Sequence, residues 1–154
     1  LDRSSAASDV YKRQDLQISG EKPVVMVAGS TGLAPVRAIL LDLIQSEEHP
    51  PMVQLFYGAQ NPEELYEWEG LLGFEDAFDW LDVYLVVQEN QPAPEDFEAY
   101  TVSGLVGDVA AERGAWRAAE VLITGGPDMK RHTVQAFLRA GAQREQLRFD
   151  APHN

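Results

Sequence analysis

A short turn of glycine and small polar residues follows the first strongly apolar segment of this 154-residue chain. It begins after residues 24–28 and leads into a segment whose apolar residues recur at helical spacing. Glycines let the backbone turn sharply, and the first N–H groups of a helix attract anions. A diphosphate suits such a turn, although an ordinary strand-to-helix turn with glycines for geometry alone remains an open alternative. The seven residues of the turn are Gly29, Ser30, Thr31, Gly32, Leu33, Ala34 and Pro35.

Thr31 is the residue of this turn whose side chain is best suited to an anion. Its hydroxyl can donate to a phosphate oxygen while the amides of Gly32 and Leu33 point the same way. Its alternative role is to cap the start of the helix, which is worth about 1 kcal/mol. Neither Lys nor Arg lies in the turn, and Arg37 is the nearest. Anion binding here would therefore depend mainly on backbone N–H groups.

A second glycine turn follows another apolar segment, residues 121–124. Gly125 and Gly126 end the apolar run, and Pro127 has its φ set for the first turn of a helix. Ligands of parallel sheets bind beyond the carboxyl ends of the strands, so we expect both glycine turns at one edge of the sheet. A tight turn without a ligand is the alternative.

Strands and helices alternate along the chain. This alternation predicts an α/β fold with a five-stranded parallel sheet and helices on both faces. The predicted strands are residues 24–28, 52–57, 81–87, 121–124 and 147–149. The predicted helices are residues 36–46, 62–72, 105–113 and 128–140. Residues 88–100 are predicted to form a surface loop because they contain two prolines among polar residues.

Composition excludes several classes of function. The formal net charge of −13 opposes binding to nucleic acid or anionic lipid. The absence of cysteine excludes disulfides, cysteine-ligated metals and thiol nucleophiles. The scattered His49, His132 and His153 are expected to be solvated and to bind no metal. No apolar stretch approaches the roughly 20 residues that span a bilayer, so no membrane partner is expected. The expected compartment is the bacterial cytoplasm because cysteine is absent, although this absence is compatible with other compartments as well.

Three segments resemble, in the same order, motifs of the ferredoxin-NADP reductase superfamily. Residues 26–35 are similar to its Gly-Gly-Thr-Gly-Ile/Leu-Ala-Pro turn, with Ser30 in place of the second glycine. Residues 121–129 are similar to its strand ending in Cys-Gly-Pro-Pro-x-Met. Residues 55–66 more weakly resemble its Tyr-Gly-Ala-Arg-x-x-x-Asp-Leu-Tyr stretch.

The resemblance implies the NAD(P)-binding domain of a flavin-dependent reductase. In that family a preceding β-barrel domain holds FAD, and the cofactors do the chemistry without an acid or base from the protein. This chain has no room for such a barrel, so residues 15–22, which start with alternating apolar and polar side chains, are expected to be a remnant of it. Residues 23–154 are expected to be the NAD(P)-binding domain. Residues 1–14, without apolar periodicity, are expected to be a non-native or disordered leader.

The resemblance also implies roles for single residues. Thr124 stands where the family usually has a cysteine beside the nicotinamide ring, and Gly125 and Gly126 let a flat ring lie against the backbone. Phe149 is the candidate for the aromatic residue that lies against the flavin in such reductases. Thr124 and Phe149 are thus the expected catalytic residues. The expected cofactor-binding residues are the seven of the first turn together with Gly58, Gln60, Thr124, Gly125, Gly126, Pro127 and Met129.

NADH is the expected nucleotide. Gln60 replaces an arginine that is frequent in the family, and Glu63 and Glu64 follow it. Two adjacent carboxylates repel the 2′-phosphate of NADPH, which needs cations nearby. Lys130 and Arg131, at the start of the helix after the second turn, keep NADPH open as the alternative.

These expectations describe an NAD(P)H-dependent flavin oxidoreductase. The expected partners are the flavin-binding domain and a redox acceptor, which is a globin haem, a ferredoxin iron–sulfur centre or an oxygenase. The alternative is an isolated nucleotide-binding module without catalytic turnover, and this chain alone is expected to be inactive. A more distant alternative is a phosphate-binding α/β protein of an unrelated class.

Overall fold

The computed structural model describes residues 22–29, 32–45, 50–60, 68–88 and 101–149. Within these ranges, strands β1 to β6 are Val24–Ala28, Val53–Ala59, Leu81–Val87, Thr101–Ser103, Glu120–Thr124 and Leu147–Phe149. Helices α1 to α4 are Leu33–Gln45, Trp68–Ala77, Val106–Arg113 and Pro127–Arg139. A 3-10 turn, Arg144–Gln146, precedes β6.

All six strands pair in parallel in one sheet, in the order β4-β3-β2-β1-β5-β6. The chain builds outward from β1 to β4 and then returns to place β5 on the other side of β1. The strand order therefore reverses between β1 and β5, which in open α/β sheets is the point where a crevice forms at the carboxyl ends. The predicted α/β fold with a parallel sheet is confirmed.

Alternate side chains of β1 pack into two separate hydrophobic cores. Val24 and Met26 pack in the core that includes α1 and α2, whereas Val25 and Val27 pack in the core that includes α3 and α4. All five residues of β1 and all five of β5 are buried, which explains why these strands are continuously apolar or nearly so. The predicted helices on both faces are thus confirmed.

The predicted number of five strands is wrong, because β4 adds a sixth. Its three residues are Thr101, Val102 and Ser103, and they pair with residues 85–87 of β3. None of the three is fully buried. A strand this short and this exposed has no apolar pattern of its own, and it is defined only by its pairing with β3.

Several element boundaries also differ from the prediction, and β2 and α2 both end later in the chain than predicted. β2 continues past Tyr57 because Gly58 and Ala59 pair with Val86 and Val87 of β3. α2 continues to Ala77, beyond the predicted end at residue 72, while residues 62–67 of that prediction lie outside the described ranges. The leader at residues 1–14 and all of residues 15–22 except Lys22 also lie outside them.

Candidate functional site

The two glycine turns lie side by side at the carboxyl edge of the sheet. β1 and β5 pair in register up to Ala28 and Thr124, and the backbone N–H of Gly29 donates to the carbonyl oxygen of Thr124 at 2.9 Å. A Cβ atom built on Gly29 would lie 3.8 Å from the Cα atom of Gly125. The first and second turns are therefore in direct contact at the point where the strand order reverses.

Gly32 is held against the end of β5. The side chain of Thr124 is fully buried, and its hydroxyl donates to the carbonyl oxygen of Gly32 at 2.6 Å. A Cβ atom on Gly32 would lie 2.5 Å from both the carbonyl carbon and the carbonyl oxygen of Thr124. Since these are backbone atoms that cannot rotate away, only glycine fits this position.

Gly125 is required by its conformation as well as by the available space. Its φ of +146° lies in a region that residues other than glycine rarely adopt. A Cβ atom here would also lie 2.7 Å from the Sδ atom of Met129 and 3.4 Å from the backbone nitrogen of Gly29. Gly125 is thus tightly packed, whereas a Cβ atom on Gly126 would have nothing within 4 Å, so the open backbone of the second turn lies at Gly126.

A cavity of about 540 Å³ opens above these turns. Its volume lies within the range of roughly 300–1,000 Å³ that is typical of small-molecule and cofactor sites. The lining includes the carboxyl ends of β1 and β2 and the first turn of α4, represented by Gly29, Gly58, Gln60, Gly126 and Met129. Gln88, directly after β3, extends the cavity along the sheet edge.

Helices α3 and α4 both begin at this cavity. The residues before them, Leu105 and Gly126, are extended and make no side-chain cap in the part of the chain that the structure describes. The first N–H groups of a helix have no partner within the helix, and the positive end of the helix dipole lies there. Both helix starts can therefore donate to an anionic group bound in the cavity.

Charged groups of both signs lie at the rim. Asp128 contacts Arg131 at 3.2 Å, and both side chains are largely exposed. His132 Nε2 lies 3.1 Å from the Oδ1 atom of Asp108 and links α4 to α3. His132 was predicted to be solvated, and its side chain is 37% exposed in addition to its contact with Asp108.

The cavity and the turn contact account for most of the predicted cofactor-binding residues. Gly29, Gly58, Gln60, Gly126 and Met129 line the cavity, and Pro127 begins α4 beside them. Gly32, Thr124 and Gly125 form the contact between the turns. Of the remaining residues, Leu33 is buried in the core, Ala34 is exposed, Pro35 is half-buried, and Ser30 and Thr31 lie outside the described ranges.

The two expected catalytic residues stay predictions. Thr124 is fully buried, and its hydroxyl is directed to Gly32 rather than into the cavity. Phe149 pairs through its backbone with Ile123 at the end of β6, and its side chain is outside the described part of the structure. The structure therefore assigns Thr124 a contact that the sequence analysis did not foresee.

The start of α3 also lines the cavity, although it was not predicted to belong to the site. Leu105, Val106 and Gly107 line the cavity, and a Cβ atom on Gly58 would overlap the side chain of Val106. Thr133 in α4 is also at the cavity and lies against Gly107. The small residues at positions 104 and 107 were the available signal, but their meaning depends on which strand end they meet.

Among the described residues, no group of three or more His, Cys, Asp and Glu side chains is arranged to hold a metal ion. In the same residues no helix combines the length and apolarity needed to cross a bilayer. The site that the structure offers is thus the cavity over the glycine turns, with backbone amides and few charged side chains.

Comparisons with known proteins identify the family of this chain. The model of the oxidoreductase NAD-binding domain family matches residues 26–135, which include both glycine turns and the start of α3. A ferredoxin–NAD(P)+ reductase component of naphthalene dioxygenase and salicylate hydroxylase systems from a Ralstonia species is 31% identical over 107 residues, covering 70% of this chain and 31% of the relative. An NAD(P)H-flavin reductase of Vibrio harveyi is 29% identical over 132 residues, covering 86% of this chain and 49% of the relative.

The fold recurs in larger solved proteins. A flavohemoglobin from Malassezia yamatoensis, solved with FAD and heme, matches with a TM-score of 0.68 and 15% identity over 88% of this chain and 33% of that protein. The chain therefore spans at most about half the length of these relatives. From the family match and the paired glycine turns, we conclude that this chain belongs to the oxidoreductase NAD-binding domain family, of the ferredoxin-NADP reductase superfamily.

Proposed function

We propose that this domain holds NADH for hydride transfer to an FAD bound by a separate flavin-binding domain. The bound dinucleotide supplies the hydride, and the residues of this chain hold and orient it. The observation that carries the proposal is the direct contact between the two glycine turns, which place the backbones of Gly29 and Gly126 at one cavity. A dinucleotide has a diphosphate next to a flat ring system, so it can use both turns at once.

The groups at the cavity support NADH over NADPH. Gln60 and Gln88, which are neutral, stand at the ends of β2 and β3, where a 2′-phosphate would need cations. Arg131, one of the two cations that kept NADPH open, already contacts the carboxylate of Asp128. Asp108 adds a second carboxylate at the rim beside His132.

Calorimetric titration of the purified chain with NADH and with NADPH tests this proposal. We expect saturable binding of NADH, with a dissociation constant about tenfold lower than that of NADPH, because carboxylates at the cavity repel the 2′-phosphate. A tenfold ratio corresponds to about 1.4 kcal/mol. Equal or tighter binding of NADPH contradicts the nucleotide preference alone. Absence of binding of either nucleotide contradicts the proposed function.

Gly126→Ala separates binding from stability. A Cβ atom on Gly126 has nothing within 4 Å, and its φ of −69° suits alanine, so the free energy of unfolding is expected to stay within about 0.5 kcal/mol. If a nicotinamide ring lies against this backbone, the added methyl group obstructs it and weakens NADH binding about tenfold. The matched control is Gly73→Ala, an exposed glycine within α2 with equally free space, which leaves NADH binding unchanged. Unaltered NADH affinity in Gly126→Ala would show that the nicotinamide ring does not lie against the second turn.

The proposal also includes the class of protein that accepts the electrons. The Ralstonia relative is named as a component of dioxygenase and hydroxylase systems, and the flavohemoglobin holds heme. We infer that electrons pass from the flavin to a ferredoxin, an oxygenase or a globin haem. The remaining alternative is an isolated nucleotide-binding module.

Fusion to a flavin-binding domain distinguishes these two readings. This chain alone, given FAD, NADH and ferricyanide, is expected to bind NADH without turnover. Residues 23–149 joined to the FAD-binding part of the Malassezia yamatoensis flavohemoglobin are expected to reduce ferricyanide with NADH. A fused protein that binds both cofactors and stays inactive supports the isolated module instead.

A further inference from the structure

Three hydrogen bonds form a closed ring between the two glycine turns. The N–H of Gly32 donates to the carbonyl oxygen of Gly29 at 2.9 Å, and the N–H of Gly29 donates to the carbonyl oxygen of Thr124, also at 2.9 Å. The hydroxyl of Thr124 completes the ring by donating to the carbonyl oxygen of Gly32 at 2.6 Å. Each of the three residues thus donates one bond and accepts one bond.

The bond from Thr124 differs from the other two because a side chain makes it. The two backbone bonds follow from the pairing of β1 with β5 and from the turn itself, so they persist whatever the side chain is. The third bond connects residues that are 92 positions apart and lies in a fully buried part of the molecule. Among the described residues of the two turns, it is therefore the hydrogen bond that a substitution can remove without changing the backbone.

The location of this link matters for a ligand that touches both turns. Gly32 is immediately followed by α1, so its carbonyl fixes where that helix begins relative to β5. On the other side, Thr124 is followed by Gly125, which starts the second turn. The distance between the amino end of α1 and the second turn is consequently set at Thr124.

We propose that Thr124 is a positioning residue whose hydroxyl fixes the spacing of the two glycine turns, so that one dinucleotide can use both turns together. The proposal rests on the proposed function, and it assigns the Thr124 side chain a different role from direct contact with the nicotinamide ring. Because the hydroxyl is buried against Gly32, it acts on the cofactor through the backbone. Thr124 thereby couples the diphosphate half of the dinucleotide to the nicotinamide half.

Thr124→Val tests this coupling because valine has nearly the same shape and lacks the hydroxyl. We expect the dissociation constant for NADH to rise about tenfold, which corresponds to about 1.4 kcal/mol and to the loss of one buried hydrogen bond. ADP, which can use the first turn alone, is expected to bind within about twofold of its wild-type affinity, since its turn keeps both backbone bonds. A purely structural role of Thr124 would weaken NADH and ADP alike.

Thr124→Ser and Thr124→Cys form a second, nearly isosteric pair. Serine keeps a hydroxyl donor, whereas a thiol is a weak donor. We expect Thr124→Ser to bind NADH within about threefold of wild type, and Thr124→Cys to bind it as weakly as Thr124→Val. If Thr124→Val does not fold, this pair of variants tests whether the Thr124 hydroxyl positions the two turns.

Val121→Thr is the control for lost stability. Val121 is fully buried three residues earlier in β5, so a hydroxyl there destabilises the same strand without touching either turn. At a temperature where all variants are folded, it is expected to bind NADH like wild type. Wild-type NADH affinity in Thr124→Val, or equal losses for NADH and ADP, would overturn the positioning role. Failure of the wild-type chain to bind NADH would instead overturn the proposed function, and the positioning role with it.

Discussion

The end of β5 and the crossing of α3 with α4 each place a glycine directly against a buried threonine. At the first place Gly32 meets Thr124, and at the second Gly107 meets Thr133. Both threonines are almost fully buried, with exposures of 0% and 1%. A Cβ atom on either glycine would come within 2.5 or 2.6 Å of the facing threonine. The two contacts are therefore almost equally close.

Their hydrogen bonding is different. The hydroxyl of Thr124 donates to Gly32, whereas the hydroxyl of Thr133 has no partner among the described residues. A buried hydroxyl without a partner costs about 1–3 kcal/mol, so the second contact carries a polar group that the fold does not need. Close packing therefore needs only a glycine at both places, whereas the hydroxyl at the glycine turns also forms a hydrogen bond.

Gly32→Ala is expected to have the largest effect in this comparison. The added Cβ atom would meet the carbonyl carbon and oxygen of Thr124, and neither can move without disturbing the pairing of β1 with β5. We expect the free energy of unfolding, measured with urea, to fall by about 3 kcal/mol. Shortening Thr124 to alanine in the same chain should not restore it, because the clash is with backbone atoms. Recovery in that double variant would show that the turn can shift.

Gly107→Ala is expected to cost about 2 kcal/mol, somewhat less than Gly32→Ala. Here the nearest atom is the Oγ1 atom of Thr133 at 2.6 Å, followed by its Cα atom at 2.8 Å. Thr133→Ala removes the first of these contacts, so the double variant should recover about half of the loss. A double-mutant cycle by urea unfolding measures this recovery, and purely additive effects would mean that the helices separate instead.

The sequence predicted the strands that carry the site because their apolar runs are bounded by clear turns. β1, β3 and β6 have the predicted ends, and the two glycine turns lie at one edge, as parallel strands require. β4 was missed because three partly exposed residues have no pattern apart from their partner strand. The start of α3 was missed as a cavity wall because only the fold brings it to Gly58 and Gly126.

The position of the Thr124 hydroxyl could not be predicted from sequence patterns. The residue type indicated a small polar group at the strand end, and resemblance to a family placed it beside the cofactor. The direction of its hydroxyl depends on the register of β1 with β5 and on how closely Gly32 approaches. Both the register and the approach of Gly32 depend on residues far from Thr124 in the sequence. The burial and the hydrogen bond of Thr124 could therefore be seen only in the folded structure.

Thr133→Val gives the smallest expected effect and the sharpest contrast, since the same exchange at Thr124 should have the opposite sign. At Thr133 the exchange removes a hydroxyl that has no partner among the described residues, while the β-branched shape and the helix propensity stay almost unchanged. We expect the free energy of unfolding to rise by about 1 kcal/mol, and to fall by about 1 kcal/mol for Thr124→Val. Urea midpoints with unchanged m-values measure both. If Thr133→Val is destabilised as much as Thr124→Val, the hydroxyl of Thr133 has a partner after all, and the hydrogen bond to Gly32 no longer sets the two regions apart.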